Sequence, residues 1–154
     1  MSLIISEHIS YKEAVKSNTA MRLDIDNTPE PYEITNMHGV ANNIFEPLRE
    51  WVGGPIKINS FFRCTDLNRA IGGSNRSQHC QGRAIDIDDT FGYKTNKDMF
   101  HYIKDNLDFD QLIWEFGSDI NPDWIHVSYI SPNENRGKCL KAKRKYGRAV
   151  YSII

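Results

Sequence analysis

Apolar residues return at helical spacing over one long stretch of the chain. Ile34, Met37, Ala41, Ile44, Phe45, Leu48 and Val52 fall on one side of a helix drawn from about residue 31 to residue 52. Pro47 lies inside that pattern, where its missing N–H predicts a kink or a division in two, and Gly53-Gly54-Pro55 predicts the stop. Residues 56 to 60 then alternate apolar and polar, as a half-buried strand does. Thr95, with Asp98 three positions on, predicts the start of a second helix running through Met99, Tyr102 and Ile103 to about Asn106. Three further alternating runs, 84 to 88, 111 to 116 and 124 to 130, predict strands. Together these elements predict an α+β fold, a small and mainly antiparallel sheet packed against helices.

The chain has 154 residues, the size of one ordinary domain, and neither an internal repeat nor a Pro/Gly/Ser linker divides it. A single domain over 1–154 is expected, with its motifs between about 30 and 130. At 40% apolar and 25% charged residues it has the composition of a soluble globular protein, and its net charge of −1 gives no global attraction to a polyanion. Charge is uneven locally. Seven of the nineteen basic residues, and no acid, lie between Arg136 and Arg148. This segment reads as a solvated basic tail over 136–154 or as a surface that attracts the anionic polymers of a cell envelope. No nucleic-acid motif accompanies it.

The first ten residues hold an apolar run of only three, Leu3 to Ile5, too short for a signal-peptide core or a membrane span. The expectation is a monomer made in the cytosol and not inserted in a membrane. Cys64, Cys80 and Cys139 form no CxxC pair, and their odd number predicts free thiols rather than a disulfide framework.

The candidate chemistry sits in two of the predicted strands and in the turn that leads into the first of them. His79 and Asp86 are seven positions apart across a turn at Gly82, a spacing suited to two ligands that meet across a bend. Alternation puts Ala84, Asp86 and Asp88 on one face and Ile85 and Ile87 on the other, so Asp86 points away from the apolar layer. In the later strand Trp124, His126 and Ser128 share one face and Ile125, Val127 and Tyr129 the other. Two imidazoles and one carboxylate make a donor set suited to a catalytic zinc with its fourth position open to water, since structural zinc sites are usually closed by four ligands, mostly thiolates.

The string Ser77-x-His79-x-x-Gly82-x-Ala84-x-Asp86, followed some forty residues later by Trp124-x-His126, resembles the signature of the M15 family of zinc peptidases. These include D-Ala-D-Ala carboxypeptidases and phage endolysins that cut peptidoglycan stem peptides. Upstream, Ser60-Phe61-Phe62-Arg63 is similar to the family's Ser-Gly-Tyr-Arg segment, with Phe61 in place of glycine and Phe62 in place of tyrosine.

The resemblance implies the hedgehog/DD-peptidase fold, one Zn2+ per chain held by His79, Asp86 and His126, and hydrolysis of an amide bond in peptidoglycan. It also implies a general base three positions before the second histidine, here Asp123. Glu115, which alternates with Gln111 and Ile113 on a neighbouring strand, is the rival. Arg63 is implied to bind a substrate carboxylate or to steady the oxyanion. Ser77 either binds substrate or orients the His79 turn, and Trp124 and Ser128 face the expected cleft. An enzyme of this kind without a signal peptide reaches the wall through a pore made by another protein. Two further readings stand beside it: a zinc-bearing binding module of the same fold, as the hedgehog signalling domain is, and a peptidase of free D-Ala-D-Ala dipeptides. The sequence leaves the bond that is cut undecided.

Overall fold

The computed structural model describes residues 3–154; Met1 and Ser2, the start of the stretch read above for a leader, lie outside the described residues. A two-stranded ribbon opens the chain, β1 (Ile4–Ser6) against β2 (Ile9–Ser10). Two short helices follow, α1 (Tyr11–Ala14) and α2 (Asn18–Arg22), each capped by a serine hydroxyl, Ser10 and Ser17.

The long apolar stripe folds as α3 (Pro31–Val40), a π-helical turn (Ala41–Phe45) and α4 (Glu46–Val52). Pro47 divides the helix as expected, and the division takes the form of a widened turn. The Glu46 N–H reaches back to the Ala41 carbonyl, five residues away, one position ahead of the proline that cannot donate. Gly53, at φ 79°, ends α4 in the left-handed conformation.

Five further elements follow: β3 (Lys57–Ser60), α5 (Thr65–Ala70), a 3-10 turn (Gln78–Gln81), β4 (Ala84–Asp88) and α6 (Asn96–Asn106). Thr95 caps α6 by accepting from the Asp98 N–H, as its sequence predicts. The remaining strands are β5 (Gln111–Glu115), β6 (Trp124–Ser128), β7 (Lys138–Lys145) and β8 (Arg148–Ile153).

Six strands form one sheet in the order β3-β4-β6-β5-β7-β8, in which the β5–β7 pairing is parallel and every other pairing is antiparallel. The fold is thus α+β, with a mixed sheet whose antiparallel pairs predominate. Its two faces differ in kind. On one, Ile85, Ile87, Ile125, Val127, Leu112 and Trp114 pack against Met37, Val40, Ile44 and Leu48 of the long helical segment and Met99, Phe100 and Ile103 of α6. On the other, the residues between them in each strand carry the polar candidates.

The stretch expected as a basic tail is β-structure from Lys138 to Ile153. Leu140 and Ala142 of β7 are buried on the polar face of the sheet, where they pack with Ile113, while Cys139 joins the helix-side core. The apolar residues therefore fall on both faces and show no simple period. Lys141 crosses to Asp119 at 2.9 Å and lies over the Trp114 ring. All three cysteines are free; Cys64 and Cys80 are half-buried and Cys139 is buried. Among the described residues no helix is long and apolar enough to cross a membrane.

Candidate metal centre

His79 is placed by the 3-10 turn. The Ser77 hydroxyl accepts from the His79 N–H at 3.3 Å, and Gly82 closes the turn at φ 71°. No other residue fits at 82: a Cβ there would lie 2.4 Å from the Glu33 carbonyl oxygen of α3, besides requiring the left-handed conformation. The motif glycine thus lets the turn pack directly on the helix and brings His79 back over β4.

The His79 ring is 1% exposed. Its Nδ1 lies 2.7 Å from the Phe61 carbonyl oxygen, which can only accept, so Nδ1 carries the proton and Nε2 is bare. That bare nitrogen faces Asp86, with Nε2 3.2 Å from Oδ2. The other oxygen of Asp86, Oδ1, lies 3.0 Å from His126 Nδ1. Asp86 and His126 are direct partners across the β4–β6 pair, and the two imidazoles approach edge to face, with centroids 5.1 Å apart.

A buried lone pair set against a carboxylate oxygen is repulsive unless a positive charge lies between them. A proton on Nε2 is opposed by burial, which pushes the His79 pKa down despite the neighbouring Asp86. Burial alone would raise the Asp86 carboxyl; its interactions with His79 and His126 outweigh that and hold it well below the usual carboxylate range. The group is therefore electron-rich and partly buried. Its three donor atoms all lie within 4.8 Å of one another, so the residues present fit a small divalent ion.

The cluster forms one wall of a cavity of about 880 Å³. Arg63, whose backbone N–H donates to the His79 carbonyl, lines the same cavity, and its buried Nε has no hydrogen-bond partner. Glu115 lines it as well and is 7% exposed. Burial raises the Glu115 carboxyl to about 7, partly offset by His126 and reinforced by Asp86.

Asp123 is exposed and does not line this cavity; it borders a neighbouring depression with Ser118, Asp119 and Lys141. The reason is register. Trp124 pairs with Glu115, and the Asp123 N–H donates to the Glu115 carbonyl at 2.9 Å, so the chain stays extended one residue before β6 begins. Pro122 does not turn the carboxylate back. The remaining candidates divide as well. Trp124 and Ser77 line the cavity. Ser128 is fully buried, and its hydroxyl accepts from the Gln111 N–H at 3.0 Å, binding β6 to β5.

Some residues at this site were not singled out from sequence. Asn96 is buried and donates to Asp88 and to the Pro122 and Asp123 carbonyls, fixing the approach to β6. Buried Asp110 accepts from Arg136 through Nε and Nη2 and from Gln78, tying the start of β7 to the His79 turn. Tyr151 of β8 lines the cavity. The signal for Tyr151 was a two-residue turn, Tyr146-Gly147, between two stretches of 138–153, masked by the density of lysine and arginine.

Fold and site together present a sheet-borne His/Asp/His cluster that could hold a metal ion, beside the buried Glu115 carboxylate and an arginine, Arg63, whose Nε is unpaired. Comparison with known families agrees. A family model described as Peptidase M15 matches residues 7–128, and the chain belongs to this family of metallopeptidases. The match begins well before residue 30, where the resemblance of motifs starts. No curated protein sequence matches the chain.

Proposed function

We propose that this chain is a single-domain, zinc-dependent peptidase of the endolysin type that hydrolyses an amide bond in peptidoglycan stem peptides. His79 through Nε2, Asp86, and His126 through Nδ1 would hold the ion. Bound there, zinc supplies Lewis-acid polarisation of the scissile carbonyl and acidifies a water. The observation that carries the reading is the bare, buried Nε2 of His79 set against Asp86 in the cavity that also holds Glu115.

Glu115, rather than Asp123, acts as the general base in this reading. Its carboxylate takes the proton from the attacking water as the new C–O bond forms. It then returns that proton to the amine nitrogen as the C–N bond breaks. Burial in the cavity wall suits it to this exchange, whereas the exposed Asp123 faces another depression. Arg63, with its unsatisfied Nε, offers a guanidinium to a carboxylate of the stem peptide. The cationic side chains of β7 and β8 suit an anionic envelope polymer nearby.

Mass spectrometry of products from purified peptidoglycan, treated with zinc-loaded protein, tests the proposal and names the bond. Wild type and Asp123→Asn are expected to release D-Ala or new stem-peptide ends, and Glu115→Gln is expected to release neither. Absence of product from the wild type on several wall chemotypes, with one zinc bound per chain, would favour a binding module instead.

A further inference from the structure

The family match ends at Ser128, before β7 and β8 begin, yet this hairpin builds one side of the cavity. In the sheet's cross-strand register Trp124 pairs with Glu115, Glu115 with Ala142, and Ala142 with Tyr151. These four residues form one row on the polar face, with Glu115 and Tyr151 two strand spacings apart, about 10 Å between Cα atoms. Only the methyl of Ala142 separates them, so both larger side chains close over it and both face the cavity. Leu140 and Ile113, the next row on the same face, are buried and supply an apolar floor.

We propose that Tyr151 is a substrate-binding residue that helps set specificity, its ring forming the outer wall against which the stem peptide lies and its hydroxyl donating to a peptide carbonyl or carboxylate. The inference rests on the reading of this cavity as a stem-peptide site. Several features of the molecule support it. Tyr151 is 51% exposed, too open for a core residue. Its phenol is pushed up by partial burial and by the acids Glu115 and Asp86.

The hairpin that carries Tyr151 is fixed to that centre. Asp110, fully buried, grips Arg136 at the entry to β7 and Gln78 beside His79, so the wall and the ligand turn share one anchor. Every residue of β8 is exposed, so the strand adds little to the core, and its position beside the cavity gives it a use.

The test separates binding from turnover. Affinity for a synthetic pentapeptide stem, L-Ala-D-Glu-L-Lys-D-Ala-D-Ala, is measured by calorimetry on zinc-loaded Glu115→Gln protein, with and without a second substitution at Tyr151. Tyr151→Ala is expected to weaken binding at least about tenfold, as loss of a buried aromatic contact does. Tyr151→Phe, which loses only the hydroxyl, is expected to weaken it about three- to tenfold. Zinc affinity should be the same in all three proteins. Equal peptide affinity with and without Tyr151→Ala would overturn the proposal while leaving the peptidase reading intact. A weakened affinity in a chain whose wild type cuts nothing would uphold Tyr151 and overturn the peptidase. Absence of binding by every protein would overturn both.

Discussion

The two faces of the six-stranded sheet are built from alternate residues of the same strands, and they do opposite work. Ile85 and Ile87 in β4, and Ile125 and Val127 in β6, are buried against helices and satisfied by packing alone. Asp86 and His126, interleaved with them, hold their places through the backbone their neighbours fix and through their own contact at 3.0 Å. One face supplies stability and the other gathers donor atoms that could hold a metal ion. A strand alternation thus lets a small domain keep a reactive cluster rigid without drawing on that cluster for its folding.

That contrast is open to a direct challenge at adjacent layers. Glu115→Gln should lower kcat on a stem peptide by about 10²–10⁴-fold, the usual contribution of a general base, with the zinc content of the wild type and no loss of stability. Ile125→Ala, on the opposite face and one residue from His126, should cost about 3 kcal/mol of stability in denaturant titration. It should leave the zinc stoichiometry of the folded protein unchanged. If the two substitutions had the same signature, the division of labour between the faces would be wrong.

Acid–base behaviour sharpens the same contrast. In the metal-free protein Glu115 is raised from its ordinary 4.5 to about 7, chiefly by burial. Below pH 4.5 the carboxyl is protonated in both folded and unfolded chains and carries no penalty. As pH rises to about 7 the unfolded chain ionises first, so this contribution to stability is lost, by about 3 kcal/mol. The difference in unfolding free energy between chelator-treated wild type and Glu115→Gln, followed from pH 4.5 to 7.5, should therefore move in favour of the variant. A pH-independent difference would mean that Glu115 is solvated rather than held in the cavity wall.

The smallest effect concerns the hairpin. β7 and β8 join through Tyr146-Gly147, with φ of 52° and 74°, the two-residue turn with both residues left-handed. Tyrosine is poorly suited to that region, and its ring is 94% exposed, so no packing compensates. Tyr146→Asn should stabilise the protein by about 0.5–1 kcal/mol, read as a higher denaturant midpoint with peptide affinity unchanged.

What the sequence disclosed follows from the same physics. β4 and β6 were legible because one face is apolar and the other polar, and the Asp86–His126 pairing follows once the two strands are antiparallel neighbours. The long helix was legible from its stripe, whereas the π turn depends on how a proline is accommodated, which alternation does not encode. The helices α1, α2 and α5, of four to six residues, are too short to display a period. The preference for Asp123 over Glu115 came from the resemblance to the M15 family, and strand parity pointed the other way; the ladder continues through Asp123, so parity governs where its side chain goes. The β7–β8 hairpin was hidden because β7 is covered on both faces and β8 on neither, leaving basic residues as its visible feature.

Equilibrium dialysis against buffered zinc asks whether His79, Asp86 and His126 together hold one ion. The wild type should bind one zinc per chain, and Asp86→Asn and His126→Ala should lose that binding while keeping the far-ultraviolet circular dichroism of the folded chain. A wild type that remains folded and binds no zinc, or folded variants that bind it as well as the wild type, would contradict the account.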